Sequence, residues 1–314
     1  MTAAVDALTP DTPDAPDSTG PEPAEKKSSR FTFRTLTSGS VLGALPFFAF
    51  VAAFLIIPII ANLIRAFQDP AGRFSVATMA EAVGPTYRQA FWLTTQLSLL
   101  TAVIGGVLGV ILAWALVSAD GPRWLTSLVS SFSALASQSG GVQLAFAFVA
   151  MLGTQGMVTG WIESIAPGAM AEFSITGFLG VTIVYLYFQV PLMAILMLPA
   201  MGGVKKAWYE AAASLGASKF QYLRDVAVPV LWPSIIGSLL LLFANAFAAY
   251  ATAYALAGGS LNLVPIVIGF LISGNVLLNP GLAAALVTWM MIIILAAMGI
   301  RFLLTRKSDQ WLSN

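Results

Sequence analysis

The chain has 314 residues, 58% of them hydrophobic, and only 15 basic and 14 acidic side chains, so that 9% are charged where soluble domains carry roughly 25%. That composition excludes a soluble globular protein, and a net charge of +1 excludes an electrostatic binder of nucleic acid. With neither His nor Cys, thiolate and imidazole metal sites and disulfides are excluded as well.

The first 30 residues are of different material from the rest. They hold five prolines (Pro10, Pro13, Pro16, Pro21, Pro23) and six acids ending at Glu25, with almost no large apolar side chain, the signature of a disordered segment. A signal peptide is not expected, because no basic region opens the chain and the first apolar run is too long and has no small-residue cleavage site. The basic cluster from Lys26 to Arg34 then precedes the first apolar run and orients it. Residues 1–40 are therefore read as a disordered cytoplasmic tail with a basic flank, 41–307 as the membrane domain, and 308–314 as a short cytoplasmic C-terminal tail.

Between these tails, residues 35–64, 89–119, 124–162, 173–204 and 226–300 carry no charge at all. A spanning helix needs about 20 predominantly apolar residues, which places spans at 41–64, 91–117, 138–157, 175–198, 230–256 and 283–304. Barrel strands would alternate in polarity over about 10 residues, and these segments are long and continuously apolar, so the expected fold is all-α with six transmembrane helices. The third span follows a serine-rich stretch and is interrupted by Gly140 and Gly141. Charge supports keeping it: with six spans and both termini inside, Lys26, Lys27, Arg30, Arg34, Arg123, Lys205, Lys206, Lys219, Arg224, Arg301, Arg306 and Lys307 are cytoplasmic. Only Arg65, Arg73 and Arg88 then lie outside, as the positive-inside rule requires.

None of the six spans contains an acid or a lysine, the groups that proton-coupled carriers use as relays. No G-x-x-x-x-G-K-[ST] phosphate loop occurs, and no positioned acid, base or metal ligand exists for an intramembrane hydrolase. No enzymatic activity is expected of the chain, and its energy source must lie on a partner.

One polar island separates the spans, the loop 203–229 with KKAWYEAAASLGASKFQYLRDVAVP from Lys205 to Pro229. The run 207–215 consists of good helix formers, Gly216 supplies a left-handed helix end, and Ser218 with Gln221 forms an S-x-x-Q capping box for a second short helix before Pro229. Ala211, Ala212 and Ala213 leave the first helix with little bulk and permit close approach to another surface, while Glu210 offers one carboxylate at its rim. The chemistry fits docking into a partner groove or a loop lying on lipid headgroups; a DNA-binding helix pair makes no sense between two spans.

Glu210-Ala211-Ala212, then Gly216-Ala217, then Leu223, Val226 and Val228 before Pro229, resembles the EAA loop of inner-membrane permease subunits of binding-protein-dependent ABC importers. The resemblance extends over roughly 41–307 and implies a type I importer permease bundle. It further implies that Glu210, Ala211, Ala212, Gly216 and Ala217 couple the chain to a cytoplasmic ABC ATPase dimer, which binds the ATP and Mg that this chain does not. The remaining implied partners are a second permease subunit, homologous or identical, and an extracytoplasmic solute-binding protein. The implied location is the bacterial inner membrane, in contact with lipid.

The segments 68–88, 158–172 and 257–282 then face outward. Within the last, 261–271 is apolar but only half a membrane thick and is broken by Pro265, Gly269 and Gly274, which fits a re-entrant gate or a packed outer loop. In the fifth span Phe243, Phe247, Tyr250 and Tyr254 fall on one face of a continuous helix, with Asn245 nearby. They are either bundle packing or the lining of the translocation path, where aromatic faces and the amide would meet a cation. The spans are similar to the polyamine, phosphonate and ferric-iron branch of the family, so a polyamine-like small polar solute is expected first. A sodium-coupled secondary transporter working without an ATPase, and a non-transporting scaffold, are the competing classes.

Overall fold

The computed structural model describes residues 39–69, 71–118, 123–273 and 279–312. Residues 1–38 of the expected tail, with the basic flank, and Gly274 lie outside these. The chain divides into two units, Met1–Leu55 and Ile56–Asn314. In the first, α1 (Gly39–Val51) passes into a π-helical stretch that begins at Ala52. Phe47, Phe48, Phe50 and Phe54 are all exposed on it, and a helix apolar on every side is built for lipid or protein contact, not for water.

The second unit contains α2 (Ile57–Ala66), α3 (Ala77–Ala82), α4 (Pro85–Ser118), α5 (Arg123–Gln138), α6 (Val142–Leu152), α7 (Met157–Ile165) and α8 (Phe178–Gly202). After these come α9 (Lys206–Ser214), α10 (Lys219–Tyr222), α11 (Val228–Ala248), α12 (Ala251–Ala257), α13 (Val264–Ser273) and α14 (Pro280–Leu312). Six stretches are long and apolar enough to cross a membrane: Gly43–Ala66, Pro85–Ser118, Val142–Ile165, Phe178–Gly202, Lys219–Ala248 and Pro280–Leu304. The protein is an all-α, multi-pass membrane protein. Among the described residues no strand forms beyond an isolated bridge between Gln68 and Phe74. That bridge closes a turn in which the Arg73 backbone N–H and guanidinium and the Ala71 N–H all donate to the Asp69 carboxylate. The Arg73 N–H, aided by its guanidinium, holds the Asp69 carboxyl below its usual range.

Four sequence expectations shift. The third span is not the single run 138–157: α5 ends before Gly140-Gly141, and Gly153–Gly156 separates α6 from α7. The fifth span does not reach residue 256, because Ala249 turns extended (φ −71°, ψ 100°) and α12 restarts at Ala251. The second short helix of the loop is not separate either, since α10 runs through a π-helical stretch, Leu223–Ala227, directly into α11. Pro229 lacks the N–H that would bond Asp225 and crowds that carbonyl, which is where a helix widens instead of breaking. At the other end, α14 continues to Leu312, well into the expected C-terminal tail.

The core is organised around α4, α8 and α11. Gly105 and Gly109 of α4 face Gln189 and Met193 of α8, one turn apart on each helix, and Gly106 faces Leu239 of α11. A methyl group on Gly105 would stand 2.8 Å from the Gln189 Cβ, and one on Gly109 would overlap Met193. Small residues at this spacing let backbones approach and replace the hydrophobic drive that lipid does not supply. Around this seam, hydrogen bonds tie in the remaining elements. Asn62 of α2 donates to the Ala284 carbonyl and Thr288 of α14 at 3.3 and 3.4 Å, and the Trp289 indole donates to the Met79 carbonyl at 3.1 Å. The Val264 N–H that opens α13 donates to the buried Thr94 hydroxyl of α4 at 2.9 Å, so the half-span expected over 261–271 is a short helix packed on α4 and α14.

Candidate functional site

In the loop 203–229 the chain leaves α8 at Gly202 and forms α9 from Lys206, a helix of good formers with an exposed Lys206–Glu210 pair at 3.8 Å, worth about 0.3 kcal/mol. Its end is a complete Schellman closure. Gly216 adopts φ +83°, its N–H donates to the Ala213 carbonyl at 3.0 Å, and the Ala217 N–H donates to the Ala212 carbonyl at 3.0 Å. This geometry explains the fixed interval between Glu210-Ala211-Ala212 and Gly216-Ala217, because the second pair caps the carbonyls of the first helix. The Ser218 hydroxyl then accepts from the Gln221 N–H at 3.2 Å while the Gln221 side chain accepts from the Ser218 N–H at 2.7 Å, the capping box read from S-x-x-Q. Tyr209 and Tyr222 meet edge to face with centroids 5.2 Å apart and brace the two helices.

The outer surface of this loop is small and apolar at its tip. Glu210, Ala211 and Gly216 are exposed, and Ala212 and Ala217 are half-buried against the turn. Leu215 is 89% exposed and Phe220 70% exposed, an arrangement unfavourable in water and suited to a partner's pocket. Sequence reasoning passed over both, since Leu215 reads as the last residue of the helix and Phe220 as an ordinary apolar position of the next. Their signal is the turn itself, which forces the residues flanking Gly216-Ala217 outward.

The aromatic residues of the fifth span do not share one face, because the helix breaks between them. Phe243 and Phe247 pack on each other with centroids 5.4 Å apart, and Phe247 is wholly buried in the cluster that α11 forms with α13 and α14. Beyond the break Tyr250 and Tyr254 are exposed and stacked at 5.3 Å, and Tyr254 meets Phe270 of α13 at 5.9 Å. Asn245 is exposed on α11. Gly269 of α13 makes room for the Tyr250 ring, and a cavity of about 430 Å³ opens beside it, bounded by Ala248, Pro265, Met290 and Met291. Asn245, Tyr250 and Tyr254 thus present neutral hydrogen-bonding groups, while Phe243 and Phe247 serve packing.

The family model of the binding-protein-dependent transport system inner membrane component matches residues 105–309. Relatives include a probable sulfate transport system permease protein of Nephroselmis olivacea, 30% identical over 207 residues that cover 65% of this chain and 68% of that protein. A sulfate transport system permease protein of Synechococcus elongatus is 31% identical over 185 residues, 57% of this chain and 61% of that protein. A probable ABC transporter permease protein of Sinorhizobium fredii is 25% identical over 257 residues, 78% of this chain and 42% of that protein. The matched stretches thus span about two thirds of the two sulfate permeases and under half of the third relative. Among solved structures, a chain of a bacterial ABC transporter involved in the import of the acidic polysaccharide alginate superimposes with a TM-score of 0.66 at 18% identity, covering 88% of this chain and 98% of that one. A second structure, of a bacterial alginate ABC transporter in complex with alginate pentasaccharide-bound periplasmic protein, gives 0.67 at 18% identity, covering 87% and 96%. These structures share the fold. From the matching model, which spans more than half of the sequence, the chain belongs to the family of inner membrane components of binding-protein-dependent transport systems.

Proposed function

We propose that this permease forms one half of the path of an ATP-driven importer and takes its energy from a cytoplasmic ABC ATPase dimer through the loop 203–229. The observation that carries this reading is the Schellman turn and capping box that hold Glu210, Ala211 and Ala212 on a short helix with Leu215 and Phe220 exposed at its end. Leu215 and Phe220 are the anchors and the small alanine face allows close approach, as helix-in-groove recognition requires. ATP and Mg belong to the partner ATPase. A second permease subunit completes the path, an extracytoplasmic binding protein delivers the solute, and the chain sits in the inner membrane with both termini in the cytoplasm.

The solute is a small oxyanion of the sulfate class. Two of the relatives above are named for sulfate and none for a polyamine, so the polyamine expectation has no support there. The charge pattern is compatible with this: the stretches 35–64, 89–119, 124–162, 173–204 and 226–300 contain no acid to repel an anion, and Asn245, Tyr250 and Tyr254 offer neutral donors. A polyamine path would gain from carboxylates that these stretches lack.

The test is a mild-detergent pull-down of the tagged full chain from its native membrane, wild type against Glu210→Arg, with co-purified proteins identified by mass. Recovery of an ATPase with the wild type and its loss with the variant is the expected result. Recovery of the chain alone in both cases would overturn the coupling assignment and favour the sodium-coupled carrier.

A further inference from the structure

Two polar side chains of α8, one turn apart, reach across to the backbone of α11. The Tyr185 hydroxyl donates to the Ala249 carbonyl at 2.9 Å and the Gln189 amide donates to the Leu242 carbonyl at 3.0 Å. Tyr185 is 1% exposed and Gln189 is not exposed at all. Ala249 is where α11 ends, so its carbonyl is one of the acceptors a helix terminus leaves without an intrahelical partner, and Tyr185 satisfies it from another helix.

On the far side of the break the tether is different. The Gly141 N–H, at the α5–α6 interruption, donates to the Thr252 hydroxyl of α12 at 2.7 Å, and α12 packs chiefly on α6. The joint Ala249–Tyr250 therefore has α8 holding one side and α6 the other. Of the two helices joined by the loop 203–229, α8 leads into it and α11 leads out of it. Any displacement of that loop reaches α8 and α11 together, and the joint is where the helical path from α11 to α12 is interrupted.

Packing alone does not explain Gln189. Gly105 of α4 closes directly over its Cβ, and its Oε1 has no hydrogen-bond donor among the described residues. An orphaned carbonyl in a membrane core costs free energy that a Met of similar size would not. Its amide hydrogen bond to Leu242, 53 positions along the chain, is what the polar group gains.

We propose that Tyr185 and Gln189 are positioning residues that bind α8 and α11 into one lever, so that movement of the loop is delivered to the Ala249–Tyr250 joint and swings the exposed Tyr250–Tyr254 pair at the path. This rests on the coupling role assigned to the loop above. The chain has no cysteine, so a two-cysteine pair, Leu179→Cys on α8 and Ala251→Cys on α12, both exposed positions, can be spin-labelled without background. Distances are read in the complete transporter, with its ATPase and binding protein, before and after ATP is added.

With Tyr185 and Gln189 intact, ATP changes the α8–α12 distance distribution. In Tyr185→Phe/Gln189→Met the ATP-dependent change falls by at least half and uptake at least tenfold, while the ATPase still co-purifies and its basal hydrolysis stays within twofold. A full ATP-dependent change and unimpaired uptake in the double variant would overturn the proposal. Absence of any ATP-dependent change, or of a bound ATPase, in the background with both residues intact would instead overturn the coupling role of the loop. If the double variant fails to assemble, Tyr185→Phe alone, which removes one hydroxyl and keeps the ring, must show the reduced change, and a full change there overturns the proposal equally.

Discussion

At the scale of single residues, Gly216 bears the sharpest constraint in the loop. Its φ of +83° lies where an L side chain is strained, yet among the described residues nothing stands within 4 Å of the position a methyl would take, so conformation and not crowding sets the cost. Gly216→Ala should therefore destabilise the loop by about 1 kcal/mol and Gly216→Asn by less, because Asn tolerates the left-handed region. Hydrogen exchange of the Gly216 and Ala217 amides reads this directly, with unchanged protection in Gly216→Ala as the contrary result. The motif residues were legible because the caps follow local rules: Gly at a helix end and S-x-x-Q at a helix start need only their neighbours. Tyr185 and Gln189 were not legible. Each is one polar side chain in a long apolar run, and its meaning comes from a carbonyl 64 or 53 positions away.

At the scale of elements, the α4–α8 seam depends on absent side chains. A methyl at Gly109 would meet the Val190 carbonyl at 2.6 Å and also press on Met193, so backbone as well as side chain would have to yield. Gly109→Val is expected to separate the two helices and lower stability by about 1–3 kcal/mol, the range of overpacked cores. By contrast Gly299→Val of α14, where nothing among the described residues lies within 4 Å, should be nearly silent. Thermal unfolding in detergent compares the two, and equal melting temperatures would refute the seam. The six apolar stretches could be read from charge-free length together with the distribution of Lys and Arg between them, since lipid demands both. The break at Ala249–Tyr250 could not: the sequence from Phe243 to Ala257 holds no Gly or Pro, and local propensity favours one continuous helix. The break follows from tertiary ties, Tyr185 holding one end and Gly141 the other. The shifted third span has the same origin, because Gly140-Gly141 sits against Thr252 and Phe188, not at a membrane surface chosen by hydropathy.

At the scale of the whole molecule, a protein with long charge-free stretches and no nucleotide-binding loop is read as a conduit, with the work done by partners that the loop 203–229 engages. The family was visible in the sequence through the EAA spacing, but the solute was not. Apolar spans of this kind look alike across solutes, and the neutral groups Asn245, Tyr250 and Tyr254 suit either a cation through ring faces or an anion through donors. Uptake of radiolabelled sulfate into liposomes carrying the purified transporter, with ATPase, binding protein and ATP each supplied or withheld, tests the coupled import of an oxyanion most directly. Uptake is expected only when all three are present, with its loss in Glu210→Arg and no competition by a polyamine. Uptake by the chain alone under a sodium gradient would contradict coupled import.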